Sequence, residues 1–187
     1  MNYNSDIHHR RSIRLKGYDY SQSGAYFVTV CTQNRECLFG EIVAGEMVLN
    51  EFGKIVADEW IKTGEIRDEI ELDAWVVMPN HFHGIVIIRR GDRPVAPTPV
   101  APTPAPLSGP RPKSIGSLMS GFKSAVTKRI NEIRKTPGIS VWQRNYYEHI
   151  IRNEKSLENI RNYIIHNPAQ WEEDENNLFR KMKHASQ

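Results

Sequence analysis

A chain of 187 residues is long enough for one domain with a sizeable core, and its formal net charge is only +3. With 39% hydrophobic and 25% charged residues the composition is that of an ordinary soluble protein. No stretch approaches the roughly 20 apolar residues of a membrane span. Met1 to Leu15 is polar and lacks the apolar core of a secretion signal, and Cys31 and Cys37 make no disulfide framework. A cytoplasmic protein is expected.

The charge is unevenly spread. Glu41 to Asp73 holds ten acids against three bases, and Lys113 to Arg161 holds ten bases against four acids. A one-sided basic surface suits a polyanion such as nucleic acid, although solvated helix faces would give the same count.

In chain order, Ala25 to Gln33 alternates and is rich in aromatic and β-branched residues, as a central strand would be. Cys37 to Val43 and Glu46 to Leu49 form a predicted hairpin around Ala44-Gly45. Asn50 is placed to cap a helix from Glu51 to about Lys62. Glu71 to Met78 is the next strand, Pro79-Asn80 a turn, and Phe82 to Ile88 the strand after it. Arg93 to Pro112 contains eight of the eleven prolines and repeats Val-Ala-Pro-Thr-Pro twice. Such a segment cannot bury apolar surface and reads as a solvated insertion.

Structure is expected to resume near Lys113, where Ile115, Leu118, Met119, Phe122, Val126, Ile130 and Ile133 form an apolar helical stripe ended by Pro137-Gly138. Ser140 to Tyr147 is strand-like. Asn153 can cap a last helix from Glu154 to about His166, stopped at Pro168. Without the hairpin and the last helix this order is βαββαβ. The expected fold is therefore α+β, a ferredoxin-like sandwich with an antiparallel sheet. The domain is expected to span 17–175, interrupted by the Pro-rich insertion at 91–112, with flexible tails at 1–16 and 176–187.

Within this frame the run Pro79-Asn80-His81-Phe82-His83-Gly84 stands out. Side chains alternate along a strand, so His81 and His83 share a face, and paired imidazoles are a common start of a metal site. Tyr163 and Asn167 are four apart and share a helical face. Leu157, Ile160 and Ile164 could hold that helix on the sheet, bringing Asn167 to the histidines as an oxygen ligand and Tyr163 beside them as a nucleophile. Tyr146 and Tyr147 are rival nucleophiles, and His149 and His166 rival ligands. A non-catalytic nucleic-acid-binding module would also fit the fold and the charge. A cupin or a TIM barrel would not fit the helices or the length.

The His-hydrophobic-His pair, the basic helix, Trp142 to Arg152 (WQRNYYEHIIR) and Tyr163 to Pro168 (YIIHNP) together resemble the REP-associated tyrosine transposases, single-tyrosine HUH transposases. The resemblance covers about Gly17 to Trp171 apart from the insertion. It implies an enzyme that cleaves single-stranded DNA next to hairpins through a 5′-phosphotyrosine intermediate and rejoins it. It makes Tyr163 the nucleophile, His81, His83 and Asn167 the ligands, and Mg or Mn the metal. His149 takes a supporting role. Lys113, Lys123, Lys128, Arg129, Arg144 and Arg152 are the expected DNA contacts, single-stranded or hairpin DNA the partner, and both a monomer and a homodimer stay open.

Overall fold

The structure, a computed structural model, describes residues 19–89, 110 and 112–177. The expected N-terminal tail lies outside them. So do the insertion apart from Pro110 and Pro112, and the C-terminal tail apart from Asn176 and Asn177.

Six strands and three α-helices alternate along the described chain: β1 (Gly24–Cys31), β2 (Gly40–Val43), β3 (Glu46–Leu49), α1 (Glu51–Glu65), β4 (Ile70–Met78), β5 (His81–Ile88), α2 (Ile115–Arg134), β6 (Tyr147–Ile151) and α3 (Glu154–His166). β4, β5, β1 and β6 pair in that order into one antiparallel sheet. This is the ferredoxin-like order expected of βαββαβ, and β2–β3 is the added hairpin. Ala44 and Gly45 both have positive φ, 51° and 82°, as a two-residue hairpin turn of matching twist requires. Among the described residues no helix is long and apolar enough to cross a membrane.

Local chemistry sets the helix starts. Asn50 accepts from the Gly53 amide at 3.0 Å, and Asn153 accepts from the Ser156 amide at 2.8 Å. Ser114 and Ser117 cap α2 reciprocally. α2 ends earlier than Pro137 would impose, because Lys135 takes a left-handed conformation, φ 56°. Ile133 falls off the apolar stripe and is 44% exposed.

The sheet has two different faces. On one, Tyr26, Val28, Val30, Phe82 and Val86 meet Trp60 of α1 and Phe122 and Ile130 of α2. Gly84 permits this contact, since a Cβ there would stand 2.8 Å from the Trp60 ring. On the other face, Phe27, Ile85 and Ile151 bury Ile164 of α3, with Leu157 and Ile160 packed alongside. A bulge in β4 between Leu72 and Trp75 turns Asp73 toward α3. There it takes the Arg161 guanidinium in a two-pronged pair, Nε to Oδ1 at 3.1 Å and Nη2 to Oδ2 at 2.7 Å. Packing and ion pair together fix α3 across the sheet.

One expectation needs correction. The strand expected at 140–147 forms at Tyr147–Ile151 instead. Val141 and Trp142 are buried, and Trp142 leaves the sheet edge after a single bridge to Thr32 to pack on Phe39 and Phe122. Asn176 and Asn177, at the start of the expected C-terminal tail, are within the described residues: Asn177 is buried, and the Asn176 carbonyl accepts a hydrogen bond from the Asn80 side chain.

Candidate active site

Register brings the first elements of the site together. Cys31 stands opposite His81 and Thr29 opposite His83, so these side chains share the face that α3 covers. Thr29 is also opposite Tyr147 on β6. Both histidines are buried, His81 completely.

The hydrogen bonds fix how His81 presents itself. Asn80 gives its Nδ2 to the carbonyls of Arg35 and Asn176, at 3.1 and 2.8 Å. Its Oδ1 is therefore the atom that meets His81 Nδ1 at 2.8 Å, and the imidazole donates there. That leaves the His81 Nε2 lone pair pointing inward, 2.9 Å from His83 Nε2. His83 Nδ1 in turn meets the Thr29 hydroxyl at 2.8 Å. Both rings are oriented from behind, as metal-binding imidazoles usually are. Burial, with help from the Arg35 charge, lowers His81 to about 3. Burial and the neighbouring His81 hold His83 well below the usual imidazole range. Both are neutral at physiological pH, the form a metal needs.

A third donor comes from a residue the sequence reading missed. Asp174, buried just beyond the 3₁₀ turn Pro168–Glu173, puts Oδ2 3.9 Å from His81 Nε2. Ligand atoms of His81, His83 and Asp174 all lie within 4.8 Å of one another. Asn167 is buried next to them and donates from Nδ2 to Asp174 Oδ2 at 3.1 Å. Its Oδ1 is buried with no hydrogen-bond partner. Only weak signals pointed to Asp174, namely an acidic run seven residues past Asn167.

Tyr163 faces the same point. Its hydroxyl is 3.3 Å from His83 Nε2, and its ring meets Phe27 and His83 at steep angles. Burial and the Asp174 charge raise the phenol to about 12, while the Asn167 amide acts in the opposite direction. The side chain nevertheless stays 41% exposed, on a cleft of about 540 Å³ that it shares with Thr29, Arg35, His83 and Tyr147. Both rival nucleophiles also line this cleft: Tyr147 meets the Phe27 ring edge-on, and Tyr146 packs in addition against the other core. His149 is exposed on β6 opposite Phe27, and His166 bonds the carbonyl of Asn162 on its own helix.

No protein-family model matches the chain. An uncharacterized protein of Haemophilus influenzae is 45% identical over 176 residues, 92% of this chain and 96% of that one. The two belong to one family. A putative REP-associated tyrosine transposase of the same organism is 24% identical over 155 residues, 81% of this chain and 73% of its own length. Among solved structures, a REP-associated tyrosine transposase bound to a REP hairpin aligns with a TM-score of 0.56 and 23% identity, over 84% of this chain and 74% of that one. This chain has the fold of the REP-associated tyrosine transposases.

On this transposase fold the six cations expected to contact DNA are spread over several grooves. Lys123, Lys128 and Arg144 line a groove of about 790 Å³ between α2 and residues 137–144. The Lys123 ammonium is half-buried there and donates to the carbonyls of Gln143 and Arg144, at 2.6 and 3.0 Å. Arg129 lies between α2 and α1, bound to Glu59 at 2.7 Å and Asp58 at 3.4 Å. Arg152 lines a third groove with Tyr20, Tyr147 and His149. Lys113 is exposed just before α2.

Proposed function

We propose that the protein is a metal-dependent, transposase-like enzyme that cleaves and rejoins single-stranded DNA beside hairpins, with Tyr163 as its nucleophile. The likeness of fold and sequence supports a transposase-like role and a DNA partner. The observation that carries the chemistry is the Tyr163 hydroxyl 3.3 Å from a buried, neutral histidine pair, beside a buried carboxylate and an amide oxygen with no partner.

The donors fit a divalent ion. Two ligand atoms each ~2.1 Å from one ion and at right angles stand ~3.0 Å apart, and the two Nε2 atoms are separated by 2.9 Å. His81, His83, Asp174 and Asn167 Oδ1 would hold it. The carboxylate and amide oxygens favour a hard ion, and Mg or Mn is the one the resemblance implies. When bound, such an ion acts as a Lewis acid toward a phosphate oxygen.

The chain's own residues do the rest. α3, clamped by Ile164 and the Arg161–Asp73 pair, holds the phenol rigidly over the histidines. Tyr163 Oη forms a bond to phosphorus, and the bond from phosphorus to the 3′ oxygen breaks. The phenol proton leaves to solvent at the open side of the cleft, and the departing 3′ oxygen takes one up there. The 5′ end stays esterified to Tyr163, so a 3′ hydroxyl can reverse the step without ATP. A module that only binds DNA would have no use for two inward-facing, desolvated imidazoles.

Tyr163→Phe removes one oxygen and no charge. Incubated with a hairpin oligonucleotide and Mn²⁺, it should bind like wild type in a mobility-shift assay. It should form no covalent complex on a denaturing gel. A covalent complex in this variant, lost instead in Tyr147→Phe, would overturn the assignment.

A further inference from the structure

From the cleft, we infer that Arg35 is a catalytic residue that grips the non-bridging oxygens of the scissile phosphodiester; the inference rests on the function proposed above. Among the described residues lining the cleft of Tyr163 and His83, Arg35 is the only Lys or Arg, and Glu175 the only Asp or Glu. The cations of α2 sit in other grooves or are bound to acids. A phosphodiester brings a negative charge and spreads more of it over its oxygens during transfer. With a divalent ion balancing Asp174, Glu175 and the phosphodiester itself still leave negative charge in the cleft for a further cation to meet. A guanidinium can do so with two parallel N–H groups, which an ammonium cannot.

Its placement is built in. Asn34 and Arg35 both have left-handed backbones, φ 57° and 56°, an arrangement that residues with side chains rarely adopt twice in succession. Hydrogen bonds hold it there. The Arg35 amide donates to the Thr32 carbonyl at 3.0 Å, and its own carbonyl accepts from Asn80 Nδ2. Asn80 is the residue that orients His81, so one amide side chain fixes the arginine turn and the first histidine together. Nη1 donates to the Glu175 carbonyl at 2.8 Å, which fixes the head against the residue next to Asp174. One of five N–H groups is used there. Arg35 and His83 line the same cleft as Tyr163.

The Glu175 contact allows a rival role, in which Arg35 merely holds the 174–176 segment in place. The substrate can separate the two. Arg35→Gln and Arg35→Lys are compared with wild type in single-turnover cleavage of a hairpin oligonucleotide with Mn²⁺. The scissile position carries either a phosphodiester or a neutral methylphosphonate. Arg35→Gln should cut the phosphodiester about 10²–10³ times more slowly, the usual cost of losing one charge-stabilising donor. Arg35→Lys should recover part of that rate. On the methylphosphonate the wild type and Arg35→Gln should converge, and Mn²⁺ affinity should be unchanged.

Equal losses on both substrates, or a loss of Mn²⁺ affinity, would show a holding role and sink the inference. So would an Arg35→Gln rate equal to wild type. In all three cases the underlying function stands, provided wild type forms the covalent complex and Tyr163→Phe does not. A wild type that forms none removes both.

Discussion

Acidifying the metal-free protein from about pH 7.5 to about pH 5 should remove about 2 kcal/mol of folding stability through His81 alone. His81 is fully buried, with its Nδ1 donating to Asn80, and burial holds it near 3 against an ordinary 6.5. The unfolded chain therefore takes up the proton first as pH falls. This contribution is intact above the unfolded value of 6.5 and is lost progressively from there down to about 3. At about pH 5 the unfolded histidine is protonated roughly thirty to one while the folded one is not, and RT times the logarithm of that ratio gives the figure above. For a domain of this size the loss corresponds to about 4–8 °C in Tm. His83 shifts in the same direction and adds to it. Calorimetry of wild type and His81→Asn at both pH values checks this. The variant lacks the titrating ring, so its acid loss should be smaller than that of wild type by the stated amount. Equal losses in the two proteins would refute the desolvated, neutral His81.

Asp174→Asn should weaken Mn²⁺ binding in titration calorimetry by more than Asn167→Ala, because it removes the only formal charge among the donors; the reverse order would make Asn167 the principal oxygen ligand. Ile164→Ala should cost about 2–5 kcal/mol in urea unfolding and slow cleavage, while Ile164→Val should cost about 0.5–1.5 kcal/mol. Unchanged cleavage at full occupancy of the folded state would show that α3 does not need this anchor to place Tyr163. Lys128→Gln should flatten the salt dependence of single-strand binding by about 0.7 in log K against log salt. Arg129→Gln should flatten it less, since its guanidinium already serves Glu59 and Asp58, and equal slopes would contradict those ion pairs.

Periodicity made much of the site legible. A period of two put His81 and His83 on one face, and a period of 3.6 put Tyr163 beside Asn167. Asparagine caps at 50 and 153 marked both helix starts, because capping is a local hydrogen bond that sequence spacing reveals. What remained hidden depends on contacts distant in sequence. Asp174 follows an irregular turn with no period, and it joins the histidines only because the 3₁₀ turn Pro168–Glu173 after α3 brings the chain back to them. The strand was placed too early because Val141 and Trp142 look like strand residues, yet the core offers Trp142 better burial than the sheet edge does. Counting charges found the basic half of the chain, but not that Arg129 is bound by acids 70 residues upstream.

The site is assembled from β1, β5, α3 and the segment ending at Asp174, and this gives it an order in time during translation. All four strands of the sheet have been synthesised once residue 151 has emerged, so the histidines can be in register before Tyr163 has been made. Tyr163 comes next, and the carboxylate of Asp174 last. A chain released early, after β6, would carry the histidine pair and most of the basic residues but lack Tyr163 and Asp174, and on the function proposed above it could not break a DNA strand.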